Sequence, residues 1–260
     1  MFRTFKRFVG ELTAIAAGVH VGTKFTAETV DSMAETDGWE TIAMRFGIVV
    51  SGLTSNRVLA SAAHLNIVSL YAGFDLFVVN LRSQHFALHA TEWRKHEGDG
   101  PFDEIRRNCP ISDTKLHEWL ETSRIAAIDY YRHVRNAVAH PSMENVSKME
   151  QYYEENSAEL AKVREAYGMR SAPNRHSSIN FHDVKLFAQA SIDLCQAIDM
   201  AFDPGDARLA TQLPPEIRKR QVSEIRRKNA ALGWLKTRFG VSGARAERVF
   251  ALYMAHKLNG

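Results

Sequence analysis

The chain has 260 residues, of which 45% are hydrophobic and 24% charged, and its formal net charge at pH 7 is +3. This composition provides enough apolar residues for a globular core and excludes a low-complexity chain. Two cysteines exclude a disulfide framework and favour a reducing compartment. The sequence has no uninterrupted run of about eighteen apolar residues, so no transmembrane helix is predicted. We therefore expect a cytoplasmic protein.

The first part of the chain is expected to be helical. Basic residues precede an apolar stretch near the N-terminus, as in a signal peptide, but Glu11 interrupts that stretch. Because its apolar residues recur at helical spacing, an amphipathic helix over 4–19 is the better interpretation. Two more helices are predicted over 26–36 and 39–53. Together they form an N-terminal helical extension over 1–54.

A helical bundle is predicted over residues 55–205. No segment shows the sustained alternation of a strand, so the predicted fold class is all-α. The charged segment 148–167 has only a weak apolar face, and we expect it to project into solvent as a helix. The predicted helices of the bundle are 59–89, 102–108, 113–122, 123–139 and 183–201.

The stretch Arg-Asn-Ala-Val-Ala-His contains Arg135, Asn136 and His140, and Pro141 follows it. The arginine fork matches a phosphate, and histidine transfers protons readily near neutral pH. Proline disfavours helical geometry at the preceding residue, so we expect the helix to end just before His140. Arg132, Asn136 and His140 are spaced four residues apart and share one polar flank.

The opposite side of the same helix is predicted to face a core. The motif is therefore expected at the C-terminal end of a helix whose other face is buried. The alternative is purely structural: an arginine in a surface ion pair, and a histidine whose charge suits the helix C-terminus. The apolar positions recur at helical spacing and are Ala127, Tyr131, Val134 and Val138.

The pattern Arg-Asn-x-x-x-His at the end of a long helix resembles the signature of the HEPN superfamily. The resemblance extends over about residues 55–203, where an earlier helix carries Asp75 in an aromatic and aliphatic run and a later helix covers 181–200. It implies an all-helical bundle that dimerises through the motif-bearing helices. It also implies a metal-independent endoribonuclease without a cofactor, of the kind found among toxins and antiviral defence effectors.

The resemblance also implies roles for individual residues. Arg135 holds the scissile phosphate, Asn136 positions the histidine or the phosphate, and His140 transfers a proton to or from the ribose 2′-hydroxyl or the leaving oxygen. Asp75 orients the arginine. Many HEPN toxins carry a tyrosine two residues after the histidine, where this chain has Ser142, so modification of a tyrosine there is not implied. The implied partners are an RNA substrate, a second copy of the chain, and an antitoxin or another defence protein.

The segment 206–260 is predicted to be a basic helical appendage. From Glu216 onward, eleven Lys and Arg stand against three Glu, a net charge of +8, which leaves −5 for the rest of the chain. A basic tail of this kind suits a polyanion. Its two last helices resemble a helix-turn-helix, but a basic hairpin that recruits RNA or packs on the bundle, and a solvated structural extension, are alternatives. The candidate RNA-binding residues are Arg132, Arg226, Arg227, Arg245 and Arg248.

Other chemistry-bearing residues receive structural interpretations. His85 and His89 have the spacing of metal ligands but lack the glutamate of a His-Glu-x-x-His motif, so we interpret both as surface histidines. Tyr130 and Tyr131 are interpreted as core or dimer-interface aromatics. Besides the endoribonuclease, two functions stay open: a non-catalytic HEPN-like dimeric module that binds nucleic acid or acts as an adaptor, and a helix-turn-helix regulator.

Overall fold

A computed structural model describes residues 2–33, 37–218 and 223–255, and every regular element in those ranges is helical. The predicted all-α fold class is confirmed for these residues. Two short 3-10 helices, at His176–Ser178 and Pro215–Arg218, accompany the α-helices. The α-helices are α1 Phe2–Asp31, α2 Gly38–Met44, α3 Ser55–His89, α4 Pro101–Asn108, α5 Asp113–Leu120, α6 Thr122–Ala139, α7 Met143–Glu155, α8 Ser157–Ala166, α9 Phe181–Ala201, α10 Gly205–Gln212, α11 Glu224–Phe239 and α12 Gly243–Ala255.

Two of the predicted helices differ from the observed elements. α1 continues to Asp31 and includes most of the helix expected over 26–36, of which residues 34–36 lie outside the described ranges. α2 is short, and residues 48–50 lie outside any helix because the β-branched run Ile-Val-Val has a low helix propensity. In the tail, α11 begins at Glu224, where the Ser223 side chain caps the helix.

The chain divides into two compact units. One comprises residues 5–75 and 117–196 and is called the motif unit here. The other comprises residues 1–4, 76–116 and 197–260 and is called the tail unit. The divisions fall within α1, α3, α5 and α9, and the expected segments 1–54, 55–205 and 206–260 stay a prediction.

The core of the motif unit lies behind α6. Tyr130, Tyr131 and Val134 of α6 are fully buried, and α7 and α8 both pack against this helix. The prediction that 148–167 projects into solvent is therefore wrong. A break at Asn156 divides that segment into two helices, each of which turns its few apolar residues inward. These buried residues are Met149, Leu160 and Val163.

α1 packs in the motif unit along one face. The ring of Phe8 lies directly on Gly73 of α3, where even a methyl group would collide with it, so glycine permits the close approach. Further along the helix, the ring of His20 stacks on Phe181 at a centroid distance of 4.5 Å. The buried α1 residues are Phe5, Val9, Ala16 and Ala27.

The tail unit has its own apolar cluster, in which α10 and α11 pack against α12. α11 ends at Gly240, whose φ of 73° is a left-handed conformation that glycine adopts without strain. The hydroxyl of Tyr253 donates to the carbonyl oxygen of Pro214 at 2.6 Å and joins α12 to the chain before α11. The main buried residues of the cluster are Leu209, Leu235, Val249 and Phe250.

The sequence analysis did not predict the apolar character of α3 as a whole. Among the helices of the described ranges, it is the one long and apolar enough to span a membrane, a criterion that core helices of soluble proteins also meet.

Candidate functional site

The motif lies at the C-terminal end of α6. The helix ends at Ala139, and His140 has φ −133° and ψ 71°, which takes it out of the helical spiral as Pro141 predicts. The N–H of His140 donates to the carbonyl oxygen of Asn136 at 2.9 Å. The backbone of His140 is therefore held to the last turn while its side chain is exposed.

Asn145 also fixes this turn, and the sequence analysis missed it. Its side chain Nδ2 donates to the carbonyl oxygen of His140 at 2.7 Å, and its backbone N–H donates to Oγ of Ser142 at 3.1 Å. Ser142 is thereby the N-cap of α7. The serine two residues after His140 therefore starts the next helix.

Arg135 is braced on two sides. Its Nη1 donates to Oδ1 of the neighbouring Asn136 at 3.0 Å. Its guanidinium carbon lies 6.0 Å from the ring centroid of Tyr71 on α3, the outer limit of a cation–π contact. Arg135 is only partly exposed, so both contacts restrict its side chain at the protein surface.

Tyr71 links Asp75 to the motif helix. The phenol of Tyr71 is buried, and burial followed by the charge of Asp75 raises its pKa. The same phenol also experiences the charges of Arg132 and Arg135. Asp75 on α3 and the two arginines on α6 therefore all act electrostatically on the same phenol.

Arg132 is held by neighbours on its own helix. Its Nε donates to Oδ1 of Asp129 at 2.8 Å, and its Nη2 lies 3.2 Å from Nε2 of His133. Burial, and then the charge of Arg132, lower the pKa of His133 to about 4. His133 is therefore neutral at pH 7 and accepts a hydrogen bond from Arg132. Local sequence does not reveal this role of His133, because the burial that sets its charge state depends on contacts such as the ring of Tyr152 at 4.8 Å.

The candidate arginines of the tail unit fall into two groups. Arg226 is exposed at the start of α11, and Arg227 beside it is partly buried. Arg245 forms a bidentate ion pair with Asp203, at 2.5 and 2.7 Å, and a third bond to Asp206 at 2.8 Å. Hydrogen bonds from Arg245 are the main cause that lowers the pKa of both aspartates.

Arg248 belongs with Arg245. Its Nε donates to Oδ2 of Asp206 at 3.1 Å. Two of the four expected RNA contacts of the tail are therefore engaged with carboxylates of the same unit.

The interpretation of His85 as a surface residue is wrong. His85 is buried, with Nε2 at 2.9 Å from Oγ1 of Thr91, and its ring lies edge-on to Trp93. His89 is partly exposed and its Nε2 lies 3.1 Å from the carbonyl oxygen of Phe202. The last turn of α3 is thus covered by the loop after it and by the end of α9. Within the described ranges, no group of three or more His, Cys, Asp or Glu residues is arranged to hold a metal.

No protein-family model, curated protein or solved structure matches this chain.

Proposed function

We propose that this protein is a metal-independent endoribonuclease in which Arg135 and His140 carry out the reaction. The observation that carries the proposal is the end of α6. There an exposed histidine leaves the helix five residues after an arginine that Asn136 braces. A fixed cation and a proton-transfer group at one open helix end are suited to an RNA phosphodiester.

Arg135 stabilises the charge that builds up on the phosphate. A guanidinium keeps its charge at any biological pH and offers a planar pair of donors to two phosphate oxygens. The hydrogen bond to Asn136 and the ring of Tyr71 restrain it before substrate arrives. Because the donors need little reorganisation, they stabilise the charge that builds up in the transition state at little cost.

His140 transfers protons. The ribose 2′-oxygen attacks the adjacent phosphorus, the bond from phosphorus to the 5′-oxygen breaks, and the products are a 2′,3′-cyclic phosphate and a 5′-hydroxyl. A base removes the 2′-hydroxyl proton and an acid protonates the leaving oxygen, and such help is worth about 10²- to 10⁴-fold. One histidine per motif is a sparse set for both transfers, so we propose a homodimer in which two motifs share one RNA groove.

The basic tail supports RNA binding by charge. The exposed Arg226 belongs to a segment with a net charge of +8, which attracts phosphates regardless of base sequence. A setting as a toxin or antiviral-defence effector, with an antitoxin or defence partner, rests on the resemblance to the HEPN superfamily. The proposed cytoplasmic location rests instead on the composition of the chain.

The test is incubation of total RNA with the wild-type chain and with Arg135→Ala and His140→Ala, in EDTA, followed by mapping of the product ends. We expect cyclic phosphate and 5′-hydroxyl ends from the wild type and none from either variant. His117→Ala and Arg170→Ala, which change exposed residues of the same unit, are matched controls and should cleave normally.

Three results would contradict the proposal: cleavage that survives either motif substitution, cleavage that requires magnesium, and equal cleavage of DNA. RNA that stays intact but binds in a salt-sensitive manner indicates the alternative, a non-catalytic binding module.

A further inference from the structure

The outward face of α1 carries apolar and small residues that the described part of the chain leaves exposed. Ala14, Gly18, Val21 and Phe25 recur at steps of four, three and four residues, so they form one stripe along the helix. Val21 is 66% exposed and Phe25 is 71% exposed. At 100° per residue this stripe lies opposite the face that α1 buries in the motif unit.

The spacing of this stripe is that of a helix-pairing seam. Alternating steps of three and four residues place side chains where a second helix can pack along the whole length. Gly18, in the middle, weakens an exposed helix, and nothing lies within 4 Å of where its side chain would be. No contact among the described residues therefore requires a glycine at this position. A glycine does permit the backbone of a second helix to approach closely.

The charges that flank the stripe identify the second helix. The charges used here belong to the two ion pairs within α1, beyond the exposed Arg3 and Lys6 at its start. In chain order they are Arg7, Glu11, Lys24 and Glu28, and these side chains are between 61% and 77% exposed. The signs in chain order are plus, minus, plus, minus. In the reverse direction they are minus, plus, minus, plus, so each position has the opposite sign. An antiparallel copy of α1 therefore sets Arg7 against Glu28 of the second copy, and Glu11 against its Lys24. A parallel copy sets like charges against each other.

We propose that the outward face of α1 is a homodimer interface in which two copies of this helix pack antiparallel. In the register that pairs the charges, Ala14 faces Val21 of the second copy, and the two Gly18 residues meet beside the two-fold axis. Antiparallel helix dipoles also attract. This interface contains no residue of the Arg135–His140 motif, so it is separate from the motif-sharing dimer proposed above and does not depend on the proposed nuclease.

The first test measures the mass of the full chain in solution by light scattering. Gly18→Arg places two arginines at the axis and should halve the mass of the assembly. Gly233→Arg is the matched control, because Gly233 is an exposed helical glycine of α11 that also has nothing within 4 Å of its side-chain position. This variant should keep the wild-type mass, and circular dichroism should show both variants folded.

Charge reversal separates pairing between copies from pairing within one helix. Arg7→Glu and Glu28→Arg should each raise the dimer dissociation constant about tenfold, and the double variant should restore it. Within one helix the partners are Arg7 with Glu11 and Lys24 with Glu28, at 4.0 Å. The double variant leaves both of these in-helix pairs repulsive, so a merely intrahelical role predicts no rescue.

Cysteine cross-linking tests the position of the axis. In a Cys109→Ser background, Gly18→Cys should form a disulfide-linked dimer on mild oxidation, and Gly233→Cys should not. A wild-type chain that is monomeric at its highest soluble concentration would overturn the proposal. So would a mass that Gly18→Arg leaves unchanged. Binding to lipid vesicles by a monomer assigns this face to a membrane and likewise overturns the homodimer.

Discussion

The hydroxyl of Tyr131 donates to Oδ1 of Asp183 at 3.0 Å, and both residues are fully buried. The same carboxylate accepts hydrogen bonds from the backbone N–H and side chain of Asn174, both at 2.8 Å, and from the N–H of Asn180 at 3.0 Å. Burial raises the pKa of Asp183, and these donors oppose that rise. The network fastens the start of α9 to α6, one turn before Arg135.

Tyr131→Phe is expected to lower the free energy of unfolding by about 1–3 kcal/mol, because it removes one donor from a buried carboxylate. Asp183→Ala should cost more, since it leaves the Asn174 and Asn180 donors buried without their acceptor. Urea denaturation of both variants measures the difference. An unchanged midpoint for Asp183→Ala would show that the network contributes nothing to stability.

Leu160→Ala tests whether the segment 143–166 belongs to the core. Leu160 of α8 is 2% exposed, so truncation leaves a cavity and should cost about 2–5 kcal/mol. Glu165→Ala on the exposed side of α8 is the control and should stay within about 0.5 kcal/mol of wild type. Equal unfolding midpoints for the two variants would support the solvated helix that the sequence suggested.

Acid stability should depend on His64. Its ring lies 4.6 Å from that of His176, and burial, followed by the charge of His176, lowers the pKa of His64 to about 4. Burial also lowers the pKa of His176, and Glu150 opposes this. Because the unfolded chain binds the His64 proton near pH 6.5 and the folded chain does not, stability is lost as pH falls from 6.5 towards 4.

The measurement compares the free energy of unfolding at pH 7 and pH 5 for wild type and His64→Phe. The variant should lose less stability between these two pH values, because it cannot take up the proton. A pH dependence identical to that of wild type would mean that His64 titrates alike in the folded and unfolded chains.

Arg245 and Arg226 should behave in opposite ways. Arg245→Ala breaks the bonds to Asp203 and Asp206 and should cost about 1 kcal/mol, since a bidentate network exceeds an ordinary surface pair. Arg226→Ala should leave stability within about 0.5 kcal/mol of wild type. If the tail binds RNA, this second variant should weaken binding and reduce the salt slope by about one. Thermal unfolding measures the stability of both variants, and RNA titration at several salt concentrations measures their binding. A loss of stability in Arg226→Ala but not in Arg245→Ala would contradict the prediction.

Asn136→Ala tests the brace on Arg135. Without the bond at 3.0 Å the guanidinium is less well positioned, and we expect RNA cleavage to fall about 10- to 100-fold while Arg135 and His140 are intact. Single-turnover cleavage rates at saturating RNA measure this effect. A rate equal to that of wild type would remove Asn136 from the proposed site.

The Pro141 end of α6 was predictable because proline acts through local sterics. Periodicity likewise predicted the helical class and, to within a few residues, α4 and α9, because a helix depends on residues three and four positions apart. The same reasoning failed for α7 and α8. Their few apolar residues are buried because the segment breaks at Asn156 and both helices pack against α6. Local spacing does not predict that packing.

The sequence by itself therefore determined an all-helical chain and the place where a histidine leaves a helix after Arg135. Only the tertiary structure decided which charged and titratable groups are engaged. Arg245 meets Asp203 across 42 positions of sequence, and His85 is buried by residues from outside its own helix. Ion pairing and burial depend on such neighbours, which are distant in sequence, and local spacing does not predict them.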